Sequence, residues 1–129
     1  MKKVLALDWG LKKTGAALGE NGGLAQILPS IDSSTRQKLL DKVDTLAQDH
    51  NVEIILIGFP STHIQNTKKI MRIKKMLEDR KYEVVLWEET LTTKEAKKEL
   101  AASGHSEKSI QKNVHSTAAA LMLEEYLNF

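Results

Sequence analysis

The chain of 129 residues contains no cysteine. This absence excludes disulfide bonds, zinc sites built from thiolates and thiol nucleophiles, and it fits the reducing cytoplasm. No apolar run approaches the roughly 18 residues of a membrane-spanning helix, and the N-terminus enters a strand pattern rather than a signal peptide. We therefore expect a cytoplasmic protein that has no membrane partner.

The chain also has little net charge and few aromatic side chains, with a formal charge of +2 and an aromatic fraction of 5%. A net charge this small does not by itself identify a nucleic-acid-binding protein. Positive charge is concentrated in residues 68–75 and 94–98, although solvated helix faces carry the same pattern. The hydrophobic and charged fractions, 41% and 28%, are ordinary for a globular protein, and the length predicts a single domain over residues 1–129.

The strongest local pattern lies at the N-terminus. The apolar run Val4–Leu7 is typical of a buried strand and ends at Asp8. Gly10 and the basic pair Lys12-Lys13 follow, and Gly15–Gly19 predicts a returning strand. A carboxylate at the end of a buried strand is costly unless a cation, a metal ion or hydrogen-bond donors contact it. By itself, Asp8 is explained equally well as an acceptor of backbone N–H groups in the turn.

The rest of the chain alternates strands with helices. Further strands are predicted at Leu24–Leu28, which Pro29 ends, at Val52–Ile57 and at Tyr82–Trp87. Helices are predicted from the capping residues Asp32–Ser34 to about residue 49, from Asn66-Thr67 through Leu77, from Thr92 to Gly104, and from Ser106 or Glu107 to about Leu127. The order βββαβαβαα predicts an α/β fold: a five-stranded mixed sheet with helices on both faces and with strands one, four and five parallel.

Ligands of such sheets bind outside the carboxyl ends of the parallel strands. The candidate site is therefore the edge that holds Asp8, Gly58–Pro60 and the pair Glu88-Glu89. Neighbouring side chains of a strand point to opposite faces, so we do not expect Glu88 and Glu89 to serve one site.

Four segments of the chain match the motifs of one protein family, in the right order. Leu5–Leu18 is similar to an opening Leu-Asp-x-Gly-x-Lys-Arg-x-Gly motif, and Ile55–Pro60 to a strand that ends in Gly-Leu-Pro. Glu88–Ala96 is similar to Asp-Glu-Arg-Leu-Thr-Thr-x-Glu-Ala, and Val114–Leu127 to a closing Asp-Ser-x-Ala-Ala helix. The chain thus resembles the YqgF-type family, described as Holliday junction resolvases and as pre-16S ribosomal RNA nucleases. The resemblance implies a RuvC-like, ribonuclease H-like fold.

The resemblance also implies a nuclease that uses a divalent metal, Mg²⁺ or Mn²⁺, held by Asp8, Glu89 and the residue at position 115. That residue is His115, where the family has its third metal-binding aspartate. Thr90 stands where the family usually has arginine, and Ser61–Gln65 replaces its usual loop after the proline. These departures leave the expected fold unchanged but keep a loss of catalysis open. For Glu89 the alternative to a ligand is a partner for N–H groups at the following helix start.

His115 falls on a predicted helix face that it shares with Ala118, Ala119, Met122 and Tyr126. Packing of this face on the sheet would aim the imidazole at Asp8. A metal ligand, a phosphate contact and an ordinary packing residue all remain open for His115.

Nucleic-acid contacts are expected beside the metal site. Lys12 and Lys13 are the predicted phosphate contacts, since cations there would hold a polyanion in register. Thr14 would add a hydroxyl, and Trp9 either stacks on a base or shields the site. His63, in the loop after the fourth strand, is either a substrate contact or a solvated side chain.

The leading functional hypothesis is a metal-dependent endonuclease acting on structured RNA. By resemblance its substrate is the 5′ region of pre-16S ribosomal RNA, with ribosomal precursor particles as partners. A Holliday junction resolvase acting on branched DNA is the alternative, and so is a nucleic-acid-binding assembly factor that has lost catalysis. The opening motif also resembles the phosphate loop of sugar-kinase and actin-like ATPases, but those enzymes need two such domains. We expect a monomer or a weak homodimer.

Overall fold

The computed structural model of the chain describes residues 2–20, 23–60, 64–89 and 93–128, and it describes only the backbone of residues 60, 64–66, 89 and 93. The strands are β1 (Val4–Asp8), β2 (Lys13–Gly19), β3 (Gln26–Asp32), β4 (Ile54–Pro60) and β5 (Glu83–Glu89). The α-helices are α1 (Arg36–His50), α2 (Ile64–Asp79), α3 (Thr93–Ala102), α4 (Glu107–Lys112) and α5 (Thr117–Leu127), and a 3₁₀ turn covers Val114–Ser116. None of the described helices is both long and apolar enough to cross a membrane.

The strands form one sheet in the order β3-β2-β1-β4-β5. β2 pairs antiparallel with β1 and β3, whereas β4 pairs parallel with β1 and β5. This order confirms the predicted mixed sheet, with the two hairpin strands on one flank and β1 in the centre. The connections through α1 and α2 join the three parallel strands, as parallel pairing requires.

The central strand is buried on both faces, as its unbroken apolar sequence predicts. Leu5 and Leu7 pack in a hydrophobic core beneath α1 and α2. Val4 and Ala6 point the other way, into a second core beneath α3, α4 and α5. Each fully buried leucine contributes about 1.5–3 kcal/mol of burial energy. These two cores confirm the predicted helices on both faces of the sheet. Because side chains alternate along β1, they also show which face each later residue of this strand points to.

The third strand differs from its prediction because it continues through Pro29 to Asp32. β3 lies at the edge of the sheet, where a proline without an N–H group costs no ladder hydrogen bond. The pairing with β2 is irregular between Thr14 and Ala16, so that Pro29 and Ser30 together face Gly15. This bulge absorbs the proline, and the strand resumes beyond it.

The predicted single helix from residue 106 or 107 to residue 127 is wrong at its middle. Asn113 leaves the helical conformation, with φ −129° and ψ 58°, and the chain turns through Val114–Ser116 before α5 begins. Two hydrogen bonds hold this turn to the sheet. Ser116 Oγ accepts from the N–H of Ala16 at 2.9 Å, and Asn113 Nδ2 donates to the carbonyl of Ile27 at 3.4 Å. These long-range bonds outweigh the local helical preference.

A buried polar cluster joins α5 to the segment before α4. The carboxylate of Glu124 lies 2.6 Å from His105 Nε2 and accepts hydrogen bonds from Ser103 Oγ at 3.2 Å and the N–H of Ala25 at 3.1 Å. The side chains of His105 and Glu124 are only 6% and 9% exposed. No pattern in the sequence singles out His105, whose role in this cluster is structural.

Candidate active site at the carboxyl edge of the sheet

Asp8 is the last residue of the central strand and is partly buried. Its direct partners are Gly15 on β2 and Gly58 on β4, so at this level neither neighbouring strand places a side chain beside the carboxylate. Alternation along β1 puts Asp8 on the face of Val4 and Ala6, which α5 covers. The carboxylate therefore has the position in the sheet that a ligand-binding group needs.

The turn that contains His115 lies against this edge through its main chain. A Cβ atom at Gly15 would overlap the carbonyl oxygen of His115 and would lie 3.0 Å from the Cα of Ser116. Since Gly15 is the direct partner of Asp8, this contact brings His115 to the level of the Asp8 carboxylate.

The His115 side chain is exposed, which contradicts the interpretation of His115 as a packing residue. His115 also does not share a helix face with Ala118, Ala119, Met122 and Tyr126 as predicted, because α5 begins only at Thr117.

Glu89 ends β5, where its backbone pairs with Pro60 of β4. Its side chain lies outside the described residues, as do Thr90, Thr92 and His63. Glu88, the preceding residue, is exposed. Among the side chains that the structure does describe, no three His, Asp or Glu residues are grouped closely enough to hold a metal ion. The predicted set Asp8, Glu89 and His115 therefore stays a prediction.

The turn between β1 and β2 is fixed by hydrogen bonds at its base. The N–H of Gly10 donates to Thr14 Oγ1 at 3.3 Å, Ser33 Oγ donates to the carbonyl of Gly10 at 2.7 Å, and the N–H of Ser33 donates to the carbonyl of Lys12 at 2.9 Å. Lys12 and Lys13 are exposed, as phosphate contacts must be. Thr14 has no exposed surface. Its hydroxyl closes the turn, so we leave Thr14 out of the proposed substrate contacts.

Trp9 lies on the opposite face of the sheet from Asp8. Its ring packs on the core beneath α1 and α2 and lines a cavity of about 260 Å³, here called the Trp9 cleft. The cleft's positive side chains are Arg36 on α1 and Lys69 and Arg72 on α2. The basic segment 68–75 is visible in the sequence, but its connection with Trp9 was not predicted. Alternation along β1, together with crossovers that place α1 and α2 on one face, could have made that connection.

The carboxylate of Asp32 lies next to the serines that line the cleft. Hydrogen bonds from the hydroxyl and the N–H of Ser34 lower the pKa of Asp32, and the Lys38 ammonium at 3.5 Å adds to this effect. Asp32 thus stays ionised, and its charge is partly offset by Lys38.

Comparisons with known proteins agree with this geometry. Residues 2–129 match the family model described as RuvX, Holliday junction resolvase. A protein of Syntrophus aciditrophicus named "Putative pre-16S rRNA nuclease" is 34% identical over 98% of this chain and 88% of its own length. One of the same name from Carboxydothermus hydrogenoformans is 33% identical over 98% of this chain and 96% of its own length. These matches confirm the resemblance predicted from the motifs.

Solved structures agree with the fold. The Holliday junction resolvase of fowlpox virus superimposes with a TM-score of 0.67 at 12% identity, covering 98% of this chain and 97% of its own. Thermus thermophilus RuvC, solved with a Holliday junction substrate, gives a TM-score of 0.60 at 14% identity, covering 99% and 96%. The predicted ribonuclease H-like fold is thereby confirmed.

Proposed function

Because the chain belongs to the RuvX family of Holliday junction resolvases, we propose that it is a nuclease that cuts structured nucleic acid at the carboxyl edge of its sheet. The observation that carries the proposal is the position of Asp8, at the end of the central strand, between two glycines and level with the His115 turn. The names of the bacterial relatives favour pre-16S ribosomal RNA as the substrate, and we propose its 5′ region as the part that is cut. We further propose that the protein acts in the cytoplasm on ribosomal precursor particles, as a monomer or a weak homodimer.

The residues at this edge suit a divalent metal. Asp8 and Glu89 offer carboxylate oxygens, the ligands that Mg²⁺ and Mn²⁺ prefer, and His115 offers an imidazole nitrogen that Mn²⁺ accepts better. The two-residue period of a strand predicts that Glu89 shares the face of Val85 and Trp87, which is the face of Asp8. When bound, such a metal activates water and offsets charge on the phosphate. Asp8 would hold it, and His115 would complete the set from the turn.

The exposed pair Lys12 and Lys13 would position the substrate. Lys12 lies in the turn after Asp8 and Lys13 begins β2, so a phosphate that they bind would lie at the same edge of the sheet as Asp8. Such contacts fix register and orientation and carry no sequence information.

The test is cleavage of an RNA that spans the 5′ end of 16S, with a four-way DNA junction beside it, by wild type and Asp8→Asn. The amide keeps the shape of the carboxylate but removes the charge, so cleavage should fall by at least about 100-fold while folding is retained. Asp49→Asn is a matched control, because Asp49 is exposed in the last turn of α1, far along the chain from the site. Equal cleavage by wild type and Asp8→Asn would contradict the assignment. RNA binding without any cleavage by wild type would favour an assembly factor.

The role of His115 is tested in the same assay by His115→Asp. An aspartate restores an oxygen ligand and a negative charge, so the ratio of rates with Mg²⁺ and Mn²⁺ should shift toward Mg²⁺. An unchanged ratio would remove His115 from the proposed set while leaving Asp8 and Glu89 in it.

A further inference from the structure

The Trp9 cleft concentrates positive charge on the face that the active site does not use. Arg36, Lys69 and Arg72 line it, and no carboxylate is among the lining residues. None of the three makes an ion pair with a carboxylate of the described residues; the contact recorded for Arg36 is a long one, 4.0 Å from Nη1 to Met76 Sδ. The cleft therefore holds three cations without an ion-pair partner among the described residues, whereas the neighbouring carboxylate of Asp32, which accepts from Ser34, is paired with Lys38.

Two other cations of this region are paired with carboxylates. Lys74, on α2, lies 3.0 Å from the carboxylate of Glu78, and Arg80, just beyond the helix, lies 3.1 Å from that of Asp44. Lys68 and Lys75, also on α2, make no ion pair with a described residue either, so the cleft is distinguished by the convergence of three cations around one cavity.

The wall that carries Trp9 is fixed before any ligand arrives. Ser33 holds the turn after Trp9 through its hydrogen bonds to Gly10 and Lys12, and the indole itself packs on the core beneath α1 and α2. An aromatic surface held in place loses little conformational freedom when a planar group stacks on it. Leu11, at the tip of the turn, is 57% exposed and extends the apolar side of the cleft.

We propose that the Trp9 cleft binds one unpaired nucleotide of the nucleic-acid substrate, with the base against the indole and the flanking phosphates on Arg36, Lys69 and Arg72. A volume of about 260 Å³ suits a single nucleotide and excludes a duplex. Aromatic rings beside cations are the usual platform for single strands. The inference rests on the proposed nuclease function and adds its substrate class: a strand that crosses the sheet edge from the cleft to Asp8 must be unpaired next to the cleavage site.

The test uses Trp9 as its own reporter. The chain has two tryptophans, so the Trp87→Phe variant leaves only Trp9, and Asp8→Asn in the same protein prevents cleavage. Titration with a single-stranded RNA of about 10 nucleotides, without metal, should quench the Trp9 emission. A duplex of the same length and adenosine monophosphate should quench it far less at the same nucleotide concentration.

Lys68 and Lys69 supply a matched pair of charge variants. Both are exposed neighbours on α2, but only Lys69 lines the cleft. Lys69→Ala should weaken single-strand binding several-fold and lower the slope of log affinity against log salt by about 0.7, whereas Lys68→Ala should change neither. Trp9→Leu, which keeps an apolar contact with the core, should weaken binding about 5- to 150-fold in a fluorescence-anisotropy assay with labelled RNA.

Three other outcomes would contradict the proposal that the Trp9 cleft binds one unpaired nucleotide. Equal effects of Lys68→Ala and Lys69→Ala would mean that binding depends on the overall positive charge of α2 and not on the cleft. Quenching by duplex as strong as by single strand would remove the requirement for an unpaired nucleotide, and equal affinity for adenosine monophosphate would make the cleft a mononucleotide site. Binding is measured without cleavage, so these results are independent of the nuclease assay. If wild type does not cleave but the binding results hold, the nuclease proposal fails and the cleft stands.

Discussion

The contact between Gly15 and the His115 turn can be tested by adding one carbon atom. In Gly15→Ala, the new Cβ would overlap the His115 carbonyl oxygen and crowd the Ser116 Cα. Both neighbours are backbone atoms, which have no rotamer to change, so the turn itself must move. A relaxed carbon–oxygen contact is about 3.3 Å or longer, and restoring it requires a displacement on the order of 1 Å.

The expected loss of stability follows from the parts that this displacement disturbs. Overpacking against backbone costs about 1–3 kcal/mol. The adjoining hydrogen bond from Ala16 N–H to Ser116 Oγ, 2.9 Å long and buried, contributes about 0.5–1.5 kcal/mol. Replacing glycine also restricts the unfolded chain, which returns about 0.4–1 kcal/mol. The free energy of unfolding should therefore fall by about 0.5–4 kcal/mol, measured by urea denaturation.

Gly23→Ala is the matched control, because a Cβ at Gly23 would meet no atom within 4 Å. It should leave stability unchanged or raise it by up to about 1 kcal/mol. At a temperature where Gly15→Ala is still folded, its cleavage rate should also fall, on the order of 100-fold for a shift of 1 Å between the His115 turn and Asp8. If the two alanine variants are equally stable and equally active, the close approach at Gly15 does not exist as described.

Three further predictions concern charges. Replacing Lys12 and Lys13 with alanine should lower the slope of log affinity against log salt by about 0.7–0.9 per lost phosphate contact, measured with Asp8→Asn protein and intact RNA; an unchanged slope would mean that the turn does not contact the backbone. Glu124→Gln should lower the free energy of unfolding by about 1–3 kcal/mol, since the amide cannot accept from all three donors of the buried cluster, and equal denaturation curves would refute this. Burial, and then the charge of Glu99, raise the pKa of Glu125 above 4.5, so its ionised form opposes folding at neutral pH. Glu125→Gln should therefore raise the melting temperature at pH 7, with the gain fading as the pH falls to about 4.5, and a pH-independent gain would contradict the cause.

The sheet could be predicted because its signals are local. Val4–Leu7 and Val52–Ile57 are continuous apolar runs, and each is followed by a residue or turn that ends it. Handedness of the crossovers then leaves one arrangement for the parallel strands. Asp8 fell at the edge of the sheet for the same reason, since its position depends only on where β1 ends.

The break before α5 could not be predicted because its cause is not local. Residues 106–127 have no proline and continue a helical pattern, but Ser116 and Asn113 form hydrogen bonds with strands about 100 and 86 positions away in the chain. The Trp9 cleft has a similar origin, since Trp9 and Arg72 meet only after α2 has crossed back over the sheet. Hydrophobic periodicity identifies the residues that form a helix or strand, but it does not show which distant residues that element will contact.

Histidine in place of aspartate at position 115 changes the chemistry of the side chain but not the packing of the turn. The main chain of the turn is held by Gly15, by Ser116 Oγ and by Asn113 Nδ2, and none of these contacts involves the His115 side chain. That side chain is exposed, so an aspartate or a histidine fits there without repacking a core. A family can therefore exchange the residue at this position while the turn stays beside Asp8. For the same reason His115→Asp should change the metal preference without changing stability, which separates a ligand from a structural residue in a single variant.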